Sequence, residues 1–94
     1  MKIEVAKRVY KDAEKLPKYV KILAAEEMQR LVDAETLGEL GNVKNMEGTT
    51  EPYYRMKFNS YRYMLYYDKE TDTVEVLSLT HRKDTYKKHN LPFR

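Results

Sequence analysis

With 94 residues, a net charge of +3 and no cysteine, the chain has room for one compact domain with a single small core, and none for disulfides, thiolate nucleophiles or cysteine-based zinc sites. About two residues in five are apolar and a third are charged, the balance of a folded domain rather than of a disordered chain. No apolar run approaches the roughly 18 residues of a membrane span and no leader is visible, so the expectation is a cytoplasmic protein without membrane contact.

Taken in chain order, "KIEV" at 2–5 reads as an opening strand, after which Val9, Ala13 and Leu16 recur at helical spacing. Pro17 then interrupts the pattern, where a first helical turn tolerates its missing N–H. A second stripe follows, with Val20, Leu23, Ala24, Met28 and Leu31 on one side and Lys18, Lys21, Glu26 and Arg30 largely on the other. The three glycines, Gly38, Gly41 and Gly48, mark an irregular connection up to Pro52, tucked onto the core by Leu37, Leu40, Val43 and Met46. Beyond it the chain alternates: "YYRMKFN", "YRYMLYY" and "TVEVLSLT", separated by Asn59-Ser60 and "DKETD", predict three antiparallel strands joined by hairpins. The fold class expected is α+β, an N-terminal strand and helical hairpin packed on an antiparallel sheet in the order β-α-α-β-β-β, forming one domain over 1–94.

Charge is unevenly spread. Residues 1–52 hold nine Lys+Arg against ten Asp+Glu, and residues 53–94 nine against five. In strand 53–59, alternation sends Tyr54, Met56 and Phe58 to the core and Tyr53, Arg55 and Lys57 to the other face. A two-residue turn at Asn59-Ser60 then places Phe58 opposite Tyr61 and Lys57 opposite Arg62. Like charges facing each other destabilise a sheet, and a bound phosphate would compensate. In the last strand, Leu77 and Leu79 are expected to join Tyr63 and Leu65 on the core face. That parity puts Arg82 on the side of Arg62 and turns His81 inward or to the rim, so Arg55, Lys57, Arg62 and Arg82 form one group. Tyr86 follows the strand, beside the cations, where a ring can stack on a nucleobase.

Other chemistries find little support. Glu26, Glu27, Asp33 and Glu35 are spread along a helical face rather than paired for acid–base work. There is no Ser-His-Asp arrangement, and the glycines do not open a strand-to-helix phosphate loop. Two histidines, His81 and His89, cannot rebuild a metal site alone. Lys69, Lys83, Lys87 and Lys88 read as solvated surface charges.

The order of elements, with "YYRMKFNSYRYMLYYDKETDTVEVLSLTHRKDTY" late in the chain and "KDAEKLPK" at 11–18, resembles the RelE/ParE superfamily of bacterial type II toxin–antitoxin toxins. The likeness covers nearly the whole chain, although "THR" stands where Gly-His-Arg is often seen. It implies a RelE-like fold and, in the RelE-like branch, a ribosome-dependent endoribonuclease that cuts mRNA without metal or other cofactor and so inhibits translation. The residues implied are Arg55, Lys57, Arg62, Arg82 and Tyr86, with His81 a competing acid or base. Attack of a ribose 2′-OH on its phosphate needs a base, cations for the dianionic transition state and an acid for the leaving oxygen. Like charge on both sides of Lys57 favours its neutral form as the base. Arg62 suits a bidentate phosphate grip. Arg82 is assigned to the leaving side and Tyr86 to base stacking. The YR and HR pairs also occur in ParE-like members, which poison DNA gyrase without cleaving RNA, and a plain basic interaction module is a third reading. Either toxin reading implies a cognate antitoxin protein as partner, beside the ribosome and mRNA or DNA gyrase.

Overall fold

The structure, a computed structural model, describes residues 1–46 and 52–83. Its elements are β1 (Lys2–Val5), α1 (Lys7–Glu14), α2 (Lys18–Asp33), a 3-10 turn (Leu37–Glu39), β2 (Val43–Asn45), β3 (Tyr53–Phe58), β4 (Tyr61–Asp68) and β5 (Thr73–His81). The five strands form one sheet in the order β1-β5-β4-β3-β2. β1 runs parallel to β5 and every other pairing is antiparallel. The expected α+β architecture is therefore present, with one addition: β2 occupies part of the connection read as irregular.

Both helices lie against one face of the sheet. Val9 of α1 and Val20, Ala24 and Leu31 of α2 pack with Met56, Phe58, Tyr63, Leu65, Val74, Val76 and Leu79 into the main core. α2 begins directly after Pro17, whose carbonyl accepts the amides of Val20 and Lys21. The buried Tyr63 hydroxyl donates to the Ala24 carbonyl at 2.8 Å and ties β4 to α2. The β3–β4 hairpin turns at Asn59, whose φ of 54° falls in the left-handed region that asparagine tolerates, and the Asn59 side chain accepts the Ser60 amide at 2.7 Å. Phe58 pairs with Tyr61 and Lys57 with Arg62, the expected register.

One expectation is overturned. Leu77 does not share the core face with Leu79. Ser78 pairs with Met64 but Val76 pairs with Leu65, so Leu77 is an extra residue in a β-bulge. An inserted residue reverses the alternation beyond it, and Val74 and Val76 take the core positions while Leu77 joins Met46 and Met64 on the opposite face. That second small cluster is flanked by Tyr53 and Tyr66, in edge-to-face contact at 5.3 Å.

Candidate functional site

The face of the sheet turned away from the helices is built in rows, because directly opposed residues share a face. In one row Lys57, Arg62 and Thr80 lie side by side on β3, β4 and β5. In the next, Lys44, Arg55, Met64 and Ser78 run from β2 to β5. Then come Tyr53, Tyr66 and Glu75, with Glu4 of β1 opposite Glu75. The face therefore grades from cationic at the β3–β4 hairpin, through an apolar and aromatic middle, to acidic beside β1.

Three of these cations have little to balance them among the described residues. Lys44, Lys57 and Arg62 make no ion pair among the described residues. Arg62 is half-buried, and its Nε is enclosed without a hydrogen-bond partner among the described residues. Thr80 and Ser78 are buried beside it, with Ser78 Oγ likewise unpartnered. Opposed side chains of this kind stand about 5 Å apart at Cβ, close enough for Lys57 and Arg62 to grip one anion.

Arg55, Lys57 and Arg62 thus share a face, as alternation predicted. Arg82 lies one residue beyond β5; its amide donates to the Ser60 carbonyl at 2.7 Å, which holds its backbone beside the β3–β4 turn, and its side chain is exposed. Tyr86 lies outside the described residues. His81 is opposite Tyr61 and meets that ring edge-on at 5.1 Å, on the helix side of the sheet. There it lines a cleft of about 230 Å³ with Arg8, Asp12 and Lys15, and its Nδ1 accepts the Lys83 amide at 3.1 Å. The sheet separates it from Lys57 and Arg62.

Two residues escaped the reading of the sequence. Lys44 joins the cations because Val43–Asn45 pairs with β3; the signal was the short alternation of Val43, Lys44 and Asn45 next to glycines. Asp12 reaches from α1 to accept the Leu79 amide at 2.9 Å, a contact 67 residues apart that no local pattern announces. Among the described residues no three histidine or carboxylate side chains gather as a metal site, and no helix is long and apolar enough to cross a membrane.

A helical hairpin on one face of the sheet and a cationic row on the other make this a small α+β protein with a basic open sheet face. Residues 3–86 match the family described as the ParE toxin of the type II toxin–antitoxin system parDE, and the chain belongs to this RelE/ParE family of type II toxins. Among solved structures it is similar to the RelB–RelE antitoxin–toxin complex of Methanococcus jannaschii, at 22% identity and a TM-score of 0.71 over 88% of this chain and 94% of that one. The RelE–RelB complex of Pyrococcus horikoshii OT3 gives 24% identity and 0.68 over 86% and 93%. The RelBE2 complex of Mycobacterium tuberculosis gives 22% and 0.67 over 88% and 92%. At these identities the likeness is one of fold. No curated protein matches the chain.

Proposed function

We infer that this toxin is a ribosome-dependent, metal-independent mRNA endonuclease that arrests translation. The observation that carries the reading is Lys57 placed directly opposite Arg62, with Arg55 on the same face. In the reaction, Lys57 is the base that takes the proton of a ribose 2′-OH. The O2′–P bond forms as the P–O5′ bond breaks, leaving a 2′,3′-cyclic phosphate, and the departing O5′ takes a proton from solvent water to become a 5′-hydroxyl end. Arg62 and Arg55 hold the non-bridging oxygens as their charge grows. Arg82, beside the hairpin turn, stabilises the leaving oxygen, and Tyr86 stacks on a neighbouring base. His81, across the sheet, supports the end of β5.

A cognate antitoxin is the natural protein partner, as in the complexes named above. An acidic segment suits the cation rows, and an apolar groove of about 380 Å³ between α1 and α2, lined by Val9, Tyr10, Ala13, Ala24 and Met28, suits its apolar residues. The match to the ParE description favours a second reading, inhibition of DNA gyrase without RNA cleavage. Translation of a defined message with mapping of the cut ends, run beside a gyrase supercoiling assay, separates the two. Cleavage lost in Lys57→Ala and Arg62→Ala, with gyrase unaffected, is the expected result; intact message with inhibited supercoiling rejects it.

A further inference from the structure

At the β2–β3 edge the sheet carries a cleft of about 270 Å³ lined by Gly41, Asn42, Lys44, Arg55 and Lys57. Among the described residues that line it, three of five are cations and none is acidic. Lys44 faces Arg55 across the ladder, the same like-charge juxtaposition as Lys57 and Arg62 one row away. Its wall is fixed by Asn42. The Asn42 carbonyl accepts the Lys57 amide at 3.0 Å, and its side-chain amide donates to the Lys57 carbonyl at 2.7 Å and to Glu27 at 2.6 Å. Glu27 is in turn held by Arg30 at 2.8 Å, so its carboxylate is paired on the helix side.

Gly41 is the second observation. Its backbone does not adopt the positive φ that favours glycine, and a Cβ built on it meets no atom within 4 Å. Neither backbone nor packing requires glycine there. A side chain at 41 would project into open space beside the cleft, so the glycine leaves room for something else.

We propose that this cleft is a second phosphate subsite, holding the RNA backbone phosphate next to the one that is cut. The inference rests on the nuclease reading for its ligand. Spacing supports it: the Lys57–Arg62 and Lys44–Arg55 rows lie two residues apart along β3, about 6.8 Å at ~3.4 Å per residue, the scale on which successive phosphates follow one another in an extended strand. Lys44, reaching the flanking phosphate and not the scissile one, is a positioning residue that sets how the message lies across Lys57.

The test is NMR titration of the full chain with a hexanucleotide RNA bearing 2′-O-methyl groups, which blocks cleavage. The Gly41, Asn42 and Lys44 amides should shift on binding, and binding should weaken about tenfold in Lys44→Ala, the scale of one charge-assisted contact. The slope of log affinity on log salt should fall by about 0.7, one phosphate of a single strand. Gly41→Glu, whose Cβ meets no atom within 4 Å and whose carboxylate would compete for the cations of the cleft, should weaken binding at least as far, whereas Lys69→Ala in the β4–β5 turn should not. A neutral methylphosphonate walked along the oligonucleotide should weaken wild-type binding at two adjacent links and Lys44→Ala binding at only one. Unshifted Gly41 and Lys44 amides, sensitivity at a single link in the wild type, or an unchanged salt slope in Lys44→Ala would overturn the subsite. Ribosomal cleavage separates the two conclusions. If Lys44→Ala and Gly41→Glu cleave like the wild type, the subsite fails and the nuclease stands; if the wild type cleaves nothing yet shows the two-link pattern, the nuclease fails and the subsite stands.

Discussion

Removing the Asp12 carboxylate should destabilise the protein by about 2–3 kcal/mol, more than a surface acid usually does. The reason lies in where β1 stops. Its pairing with β5 ends at Val5–Val76, followed by one bond from the Ala6 amide to the Val76 carbonyl, and the chain then turns into α1. From residue 77 onward β5 has no strand on that side, so the Leu79 amide points into a gap. Asp12 fills the gap at 2.9 Å, with Leu79 only 4% exposed and the Asp12 side chain 17% exposed. Orphaning a buried amide costs about 1–3 kcal/mol, and the Arg8–Asp12 pair at 3.5 Å adds no more than ~0.5 kcal/mol. In urea, with a slope of about 1–1.5 kcal/mol/M for a chain this size, Asp12→Ala should lower the midpoint by roughly 1.3–3 M. Asp12→Asn, which keeps an oxygen acceptor, should lose about half as much, and Arg8→Ala only the ion-pair share. Hydrogen exchange at Leu79 supplies an independent reading: protected in the wild type and Arg8→Ala, fast in Asp12→Ala. A midpoint within ~0.3 M of wild type in Asp12→Ala, or a loss equal to that of Arg8→Ala, would refute the account.

Lys57→Glu replaces repulsion opposite Arg62 with attraction and should raise stability by about 0.5–1 kcal/mol in urea unfolding while abolishing message cleavage; a stability loss would contradict the register argument. Burial, with Glu27 nearby, pushes the Tyr63 hydroxyl up to about 12. Because the folded value is raised above the unfolded value of ~10, its contribution is intact below pH ~10 and lost as pH climbs towards 12. An absorbance titration at the phenolate band should show a last tyrosine near pH 12 that is missing in Tyr63→Phe, a variant losing about 1 kcal/mol with its bond to Ala24. Asp72 is held below the ordinary carboxylate range, first by the Tyr67 hydroxyl at 2.8 Å and then by the chain's amino terminus, against some burial. Its stabilisation is present above pH ~3.9 and disappears as pH falls through the depressed folded value; in Tyr67→Phe the Asp72 carboxyl carbon, followed by NMR, should titrate at higher pH than in the wild type.

The residues themselves explain what could be read in advance. Alternation in 53–59 and 61–67 and the two-residue turn at Asn59-Ser60 set the β3–β4 register, and with it the Lys57–Arg62 pair, because a hairpin is a local object. The helical stripes worked for the same reason, each being decided by its own sequence. Lys44 was harder: three residues of edge strand carry too little periodicity to stand out from a glycine-containing connection. The Leu77 bulge was invisible. "TVEVLSLT" alternates poorly because it is apolar at 74, 76, 77 and 79, and where the pattern breaks depends on partners in β4. Asp12 acts across the whole chain, and only the place where β1 ends gives its carboxylate a task.

The bulge leads to a result opposite to the usual one. Deleting a residue from a central strand normally sends every later side chain to the wrong face. Here Leu77 is the extra residue between Val76, opposite Leu65, and Ser78, opposite Met64. Without it, Val74, Val76 and Leu79 still face the helices, and Ser78 and Thr80 still face the cation rows. What disappears is one apolar side chain from the floor made with Met46 and Met64, together with the added local twist of a bulge. The chain lacking Leu77 should therefore fold and lose about 2–3 kcal/mol, close to Leu77→Ala at the low end of a buried leucine truncation. Deleting Leu65 from β4, where the partner strand already has one residue too many, should prevent folding. The nuclease reading gives the same floor a functional consequence: Met64 lies in the row of Lys44 and Arg55, so an apolar surface beneath the cations would keep water from screening their pull on a phosphate. On the nuclease reading, both Leu77 variants should thus cleave message more slowly than their remaining stability explains. If the deletion fails to fold while Leu77→Ala folds normally, the bulge is a required bend rather than an inserted residue.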